Sequence, residues 1–205
     1  MPAAAAPDAP RRRGPRADGT DTRGAIRAAA AAEFAERGFA SATIRSIAAR
    51  ADVDPALVHH YFGSKAALFR DVTQIPVDPA AGLPGVLAGP PEQLGMRLAR
   101  HVLTLWEDPA FRTPLLTIVR SALVDPERAR PLREYLESQL LPAVARELPG
   151  PDAPQRVVLA ATQLIGIVLG RHVVGLAELT RPTVEQLAGR VAPTVQRYLD
   201  GTDQA

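Results

Sequence analysis

The chain has 205 residues, 46% of them apolar and 22% charged, and no cysteine. That length makes one or two domains with a sizeable core, the composition is that of a soluble globular protein, and the lack of Cys excludes a disulfide scaffold, a thiolate zinc site and a Cys nucleophile. The net charge of +2 is unevenly placed: residues 1–72 carry eleven basic and eight acidic side chains, a net +3, and the remainder nets −1. A basic N-terminal part on a neutral body points toward nucleic acid.

Residues 1–20 are rich in Pro and Ala, with arginines at Arg11, Arg12, Arg13 and Arg16. They lack the apolar stretch of a secretory signal and read as a disordered basic arm. Helical periodicity begins near Thr22: Ile26, Ala29, Ala30 and Phe34 share one face. Gly38 suits the helix stop, with Phe39 folding back on Phe34. Thr43 is a good N-cap for a second helix carrying Ile44, Ile47, Ala48 and Ala51 inward. Asp54 and Pro55 open a third helix, with Val58 and Phe62 inward and Gly63 at its end. Ser64 caps a fourth, with Leu68, Phe69 and Val72 as its apolar contacts. Residues 21–75 therefore read as one small helical domain.

Residues 76–91 hold five prolines and three glycines and read as a linker with one helical turn. Beyond it, residues 92–200 read as a helical domain, with segments near 92–107, 111–124, 127–147, 153–179 and 183–199. Pro131 and Pro142 should start or kink the third of these. Strand-type alternation is absent, so the fold class is all-α. The apolar run 157–177 is long enough to span a bilayer, but Gln163, Arg171 and His172 interrupt it. A charge there costs about 2.5–3.5 kcal/mol, so a core helix in a cytoplasmic protein is expected, with no membrane association.

Residues 41–65 form a helix, a tight turn and a second helix, the geometry that places the second helix in a DNA major groove. Adjacent His59 and His60 point ~100° apart and have no third ligand a turn away, so no metal site is expected. The later segments hold no nucleophile, base and acid at catalytic spacing, so neither an enzyme nor a cofactor is expected. His101 and His172 each stand alone on apolar helices.

Three stretches carry a resemblance: Phe34-Ala-Glu-Arg-Gly-Phe39, Thr43-Ile-Arg-Ser-Ile-Ala48, and the run from Val53 to Lys65 that ends His-His-Tyr-Phe-Gly-Ser-Lys. Together they resemble the DNA-binding domain of the tetracycline-repressor (TetR) family over residues 22–72. The order of later segments and the arginine bias, with Lys65 the only lysine, look like actinobacterial members. The resemblance implies a homodimeric, sequence-specific transcriptional regulator, a repressor released from its DNA operator by a small-molecule inducer. A constitutive or partner-controlled regulator without ligand, and a helical ligand carrier, stand as alternatives.

It also implies roles, residue by residue. Thr43 would cap its helix beside a phosphate. Arg45 would reach a base or a phosphate. Pro55, Ala56 and Leu57 would present an apolar recognition tip suited to a thymine methyl. His59, His60 and Tyr61 would donate to the DNA backbone. Lys65, at a helix start, would face phosphate. In the second domain, Trp106, Phe111, Arg120, Tyr135 and Gln163 would line an inducer cavity. Gly166 and Gly170, one turn apart, would join Val184, Leu187 and Val191 in a dimer interface, which would set two recognition helices ~34–36 Å apart.

Overall fold

The computed structural model describes residues 19–75 and 78–201, with side chains from residue 22 onward; the arginine arm lies outside them. Every element among the described residues is a helix, as the sequence implied. The first four are α1 (Gly19–Ser41), α2 (Ile44–Ala51), α3 (Pro55–Phe62) and α4 (Lys65–Thr73). Their caps are those legible in the sequence. Thr43 accepts from the Ser46 amide at 3.0 Å, and Ser46 answers with its hydroxyl to the Thr43 amide. Asp54 accepts from the Ala56 amide at 2.7 Å, and Ser64 from the Ala67 amide at 3.1 Å. Each such cap contributes about 1 kcal/mol.

These helices enclose one core of Ile26, Ala30, Phe34, Phe39, Ile47, Val58, Leu68 and Phe69. Phe34, Phe39 and Phe69 pack with ring centroids 5.1–5.8 Å apart. Gly38 breaks α1 at φ 78°, and the chain turns back so that Phe39 meets Phe34. A β-carbon on Gly38 would collide with the Glu134 carboxylate.

The second body comprises α5 (Leu83–Leu87), α6 (Leu94–Glu107), α7 (Pro109–Val124), α8 (Arg130–Tyr135), α9 (Leu141–Ala145), α10 (Ala153–Leu169), α11 (Ala177–Thr180) and α12 (Val184–Asp200). Within residues 76–91, α5 is integral to this body: its Leu83 and Val86 are buried in the second core. Wide helical turns at Leu136–Leu140 and Gly170–Val174 join α8 to α9 and extend α10. Helix α6 lies against α12 at Gly95, where an added β-carbon would sit 2.7 Å from the backbone nitrogen of Gln196. Gln196 locks the contact, accepting from the Gly95 amide at 2.6 Å and donating to the Pro91 carbonyl at 3.0 Å.

Helix α10 is not buried all round. Val157, Ala160, Leu164 and Val168 face the core, while Val158, Leu159 and Ile165 are 37–46% exposed. By length and composition alone, Ala153–Val174 could cross a membrane. Its buried face instead packs within a helical body, and its outer apolar face is left for another surface.

Candidate nucleic-acid interface and its attached cavity

Helices α2 and α3 meet across a turn in which Asp52 is left-handed, at φ 55°. Ile47, Ala48 and Val58 anchor the pair to the aromatic core. That burial fixes which side chains look outward: Thr43, Arg45, Pro55, Ala56, Leu57, His59 and His60 are all exposed. Leu57 is 39% exposed, an apolar tip held in water. Tyr61 is half-buried against the core and stacks edge-on with His60 at 5.3 Å. The His59 Nδ1–H donates to the Gly63 carbonyl at 3.1 Å, which fixes the ring and leaves Nε2 outward.

The charges sort themselves. Arg23 and Arg27 both pair with Asp71, Arg37 with Glu33, Arg50 with Glu33 and Glu36, and Arg70 with Asp78. Among the described arginines up to residue 75, Arg45 alone has no ion pair. A guanidinium left unpaired beside a protruding helix can take a phosphate or the two acceptors of a guanine.

Lys65 departs from expectation. Its ammonium donates to the carbonyls of Phe39, Ala40 and Ala42 at 2.8, 3.3 and 2.9 Å, and lies 4.5 Å from the Phe39 ring centre. All three protons are taken, so the side chain closes the open end of α1 and offers none to a phosphate. Burial holds its pKa below the ordinary lysine value.

The second body is hollow. A cavity of about 450 Å³ lies between α4, α6, α7, α8 and α10. Trp106, Phe111 and Tyr135 are among the residues that line it. Arg120 and Gln163 are not: Arg120 is exposed on α7, and Gln163 is absent from the wall. The wall is almost wholly apolar, and the residues in it that carry a polar group are Arg70, His101, Trp106, Tyr135 and Thr162. Arg70 and His101 carried no sequence signal, since each is one of several polar residues on its helix and nothing local singles it out.

Tyr135 belongs to both regions. Its ring lines the cavity, yet it also sits 5.2 Å from Phe69 and 5.3 Å from Phe39 inside the first core. The rest of α8 is fastened to α1. Arg130 donates to the carbonyls of Ala35 and Glu36 at 2.9 Å each, and Glu134 accepts from the Ala40 amide at 2.8 Å.

At the proposed dimer surface the side chains divide. Gly166 is exposed with open space around it. Gly170 is buried, and a β-carbon there would strike Leu179 at 2.6 Å. Leu187 is 3% exposed and belongs to the second core. Both are engaged within the subunit, while Val184 and Val191 are half-buried.

Comparison with known proteins now joins this geometry. Residues 26–72 match the family described as bacterial regulatory proteins, tetR family, and residues 92–199 match the tetracyclin repressor-like C-terminal domain. No curated protein matches the chain. Among solved structures, it is similar to a TetR-family regulator from Streptomyces coelicolor A3, with 30% identity over 91% of this chain and 99% of that one, and a TM-score of 0.45. It is similar to a TetR-family transcriptional regulator from Mesorhizobium loti, with 18% identity over 88% and 96% and a TM-score of 0.49. A transcriptional regulator from Rhodococcus sp. Rha1 is 21% identical over 86% and 97%, with a TM-score of 0.43.

Proposed function

The chain belongs to the TetR family of DNA-binding transcriptional regulators, and from that premise we propose that it is a dimeric repressor released from operator DNA by a small molecule. The observation that carries the DNA-binding half is the outward face of α2 and α3. It joins an unpaired Arg45, an apolar tip at Pro55, Ala56 and Leu57, and the flanking Thr43, His59, His60 and Tyr61. Arg45 supplies hydrogen-bond readout of a base edge, and Leu57 and Ala56 supply methyl contacts. Residues 21–75 act as the reading domain, and 92–200 as the effector and dimer domain joined through 76–91. The basic arm at residues 1–20 would add backbone affinity. A protein that reads an operator works in the cytoplasm, and the arginine bias supports an actinobacterial type.

The cavity favours ligand control over constitutive regulation. An inducer can release DNA only by preferring the DNA-free conformer. Tyr135 gives it a handle: a molecule pressing that ring also presses on Phe39 and Phe69. TetR regulators act as dimers, and the outer face of α10 supports one here. Val158, Leu159, Ile165 and Gly166 form an apolar strip that a second copy would cover, with Val184 and Val191 at its flank. Val158 and Ile165 also line the cavity, so the partner would close part of its wall.

The test is selection of fragments of the source genome by the purified protein at physiological salt. The proposal expects enrichment of a few sites with inverted half-sites ~34–36 Å apart. Retention of bulk DNA without enrichment would overturn it.

A further inference from the structure

Among the described residues, Arg70 is the only arginine or lysine in the cavity wall, and it is already matched. Its Nη1 lies 2.9 Å from Asp78 Oδ2, and its guanidinium is near enough to the Tyr135 hydroxyl to act on its ionisation. Asp78 is fixed in turn, since its other oxygen accepts from the Ala80 amide at 3.0 Å. Asp78 itself is not among the residues that line the wall. The one cation at the wall is thus matched by an acid that is not part of it, and the surface that the cavity offers is almost entirely apolar.

That arrangement has a chemical consequence. A carboxylate entering an apolar cavity loses its water and needs an unmatched cation to offset the loss. Here it would compete with Asp78 for Arg70 while sitting near a like charge. A neutral oxygen meets no such penalty. It can accept from a guanidinium N–H or from the Tyr135 hydroxyl, which burial keeps protonated by raising its pKa above the ordinary tyrosine value. The remaining wall offers mostly apolar contact, with His101, Thr162 and the indole of Trp106 as its other residues that carry a polar group.

We propose that the cavity takes an uncharged, largely apolar molecule carrying a hydrogen-bonding oxygen, and that Asp78 sets this selectivity by neutralising Arg70. The inference rests on the cavity being the effector site. It goes further in naming the ligand's charge and the residue that enforces it.

Trp106 is the only tryptophan of the chain and lines the cavity, so its emission reports occupancy directly. The full-length protein is titrated with decanol and with decanoate, which differ only in the head group. The wild type is expected to bind decanol at least about tenfold more tightly than decanoate (about 1.4 kcal/mol). In Asp78→Asn the guanidinium is unmatched, and decanoate is expected to gain about tenfold relative to decanol. The double variant Asp78→Asn, Arg70→Gln should lose that gain while still binding decanol, which separates charge from misfolding.

Decanoate binding the wild type as tightly as decanol would overturn the proposal. So would an unchanged ratio in Asp78→Asn, or failure of both probes to move the Trp106 emission. None of these outcomes touches DNA reading, which the fragment selection measures separately. If the ratio shifts as expected but filling the cavity leaves DNA affinity unchanged, the ligand class stands and inducer release fails.

Discussion

The two bodies of this protein solve opposite packing problems. The first is small and filled: three phenylalanines close its core, and its working groups are what the packing pushes outward. The second is larger and leaves about 450 Å³ empty, so its working groups are those that fail to meet across a gap. A void forfeits the dispersion contacts of its lining. One region turns its working groups toward a surface, and the other surrounds an apolar space. Tyr135 is the side chain they share.

The contrast can be broken at that shared ring. Tyr135→Ala empties both sides at once and is expected to cost about 3–5 kcal/mol. Thermal unfolding followed by circular dichroism should show the loss, and the titration should show altered cavity binding. A loss confined to one region would mean that the ring serves only that region. Lys65→Met is next. It leaves three carbonyls at the end of α1 without their charged donor, at a cost of about 2–3 kcal/mol. The salt slope of DNA binding should stay as in the wild type, because no phosphate contact is removed. A slope flattened by about one ion would restore the phosphate role to Lys65.

Arg45→Ala should leave the fold intact and reduce discrimination between selected and unrelated DNA by about 1–3 kcal/mol. Competition binding measures it, and equal weakening on all sequences would assign Arg45 to the backbone instead. The smallest effect concerns His172. Burial lowers its pKa, and Arg112 and Arg171 push the same way against the opposing pull of Glu107. In the folded state the ring resists a proton that the unfolded chain accepts. Its contribution is therefore present above the ordinary histidine range and is lost as the pH falls through it. His172→Gln should reduce that acid sensitivity in urea unfolding measured across this range.

The same contrast explains what the sequence made legible. Helices α1 to α4 were readable because their limits are local: Thr43, Asp54 and Ser64 cap by bonds three residues or fewer away. The outward face followed from the inward one. The role of Lys65 did not, because its acceptors lie 23–26 residues upstream and a lysine at a helix start looks the same in either role. In the second body Trp106, Phe111 and Tyr135 stand out in the sequence by size, and all three border the cavity. Arg120 and Gln163 were misplaced because polarity on an apolar helix does not give the direction of a side chain. The wide turns at Leu136–Leu140 and Gly170–Val174 shift the helical phase as well. Gly170 fails for another reason: its spacing from Gly166 suggests one shared face, yet the chain that returns after the wide turn lays Leu179 over it.

If α2 and α3 form the DNA-reading face, bound DNA covers their outward side chains and leaves the second body open to solvent. Hydroxyl-radical footprinting of the protein, with and without its selected fragment, tests this most directly. The account predicts protection at Arg45, Leu57, His59, His60 and Tyr61, and no protection along the cavity wall. Unchanged reactivity at these five side chains, or protection centred on residues 92–199, would contradict it.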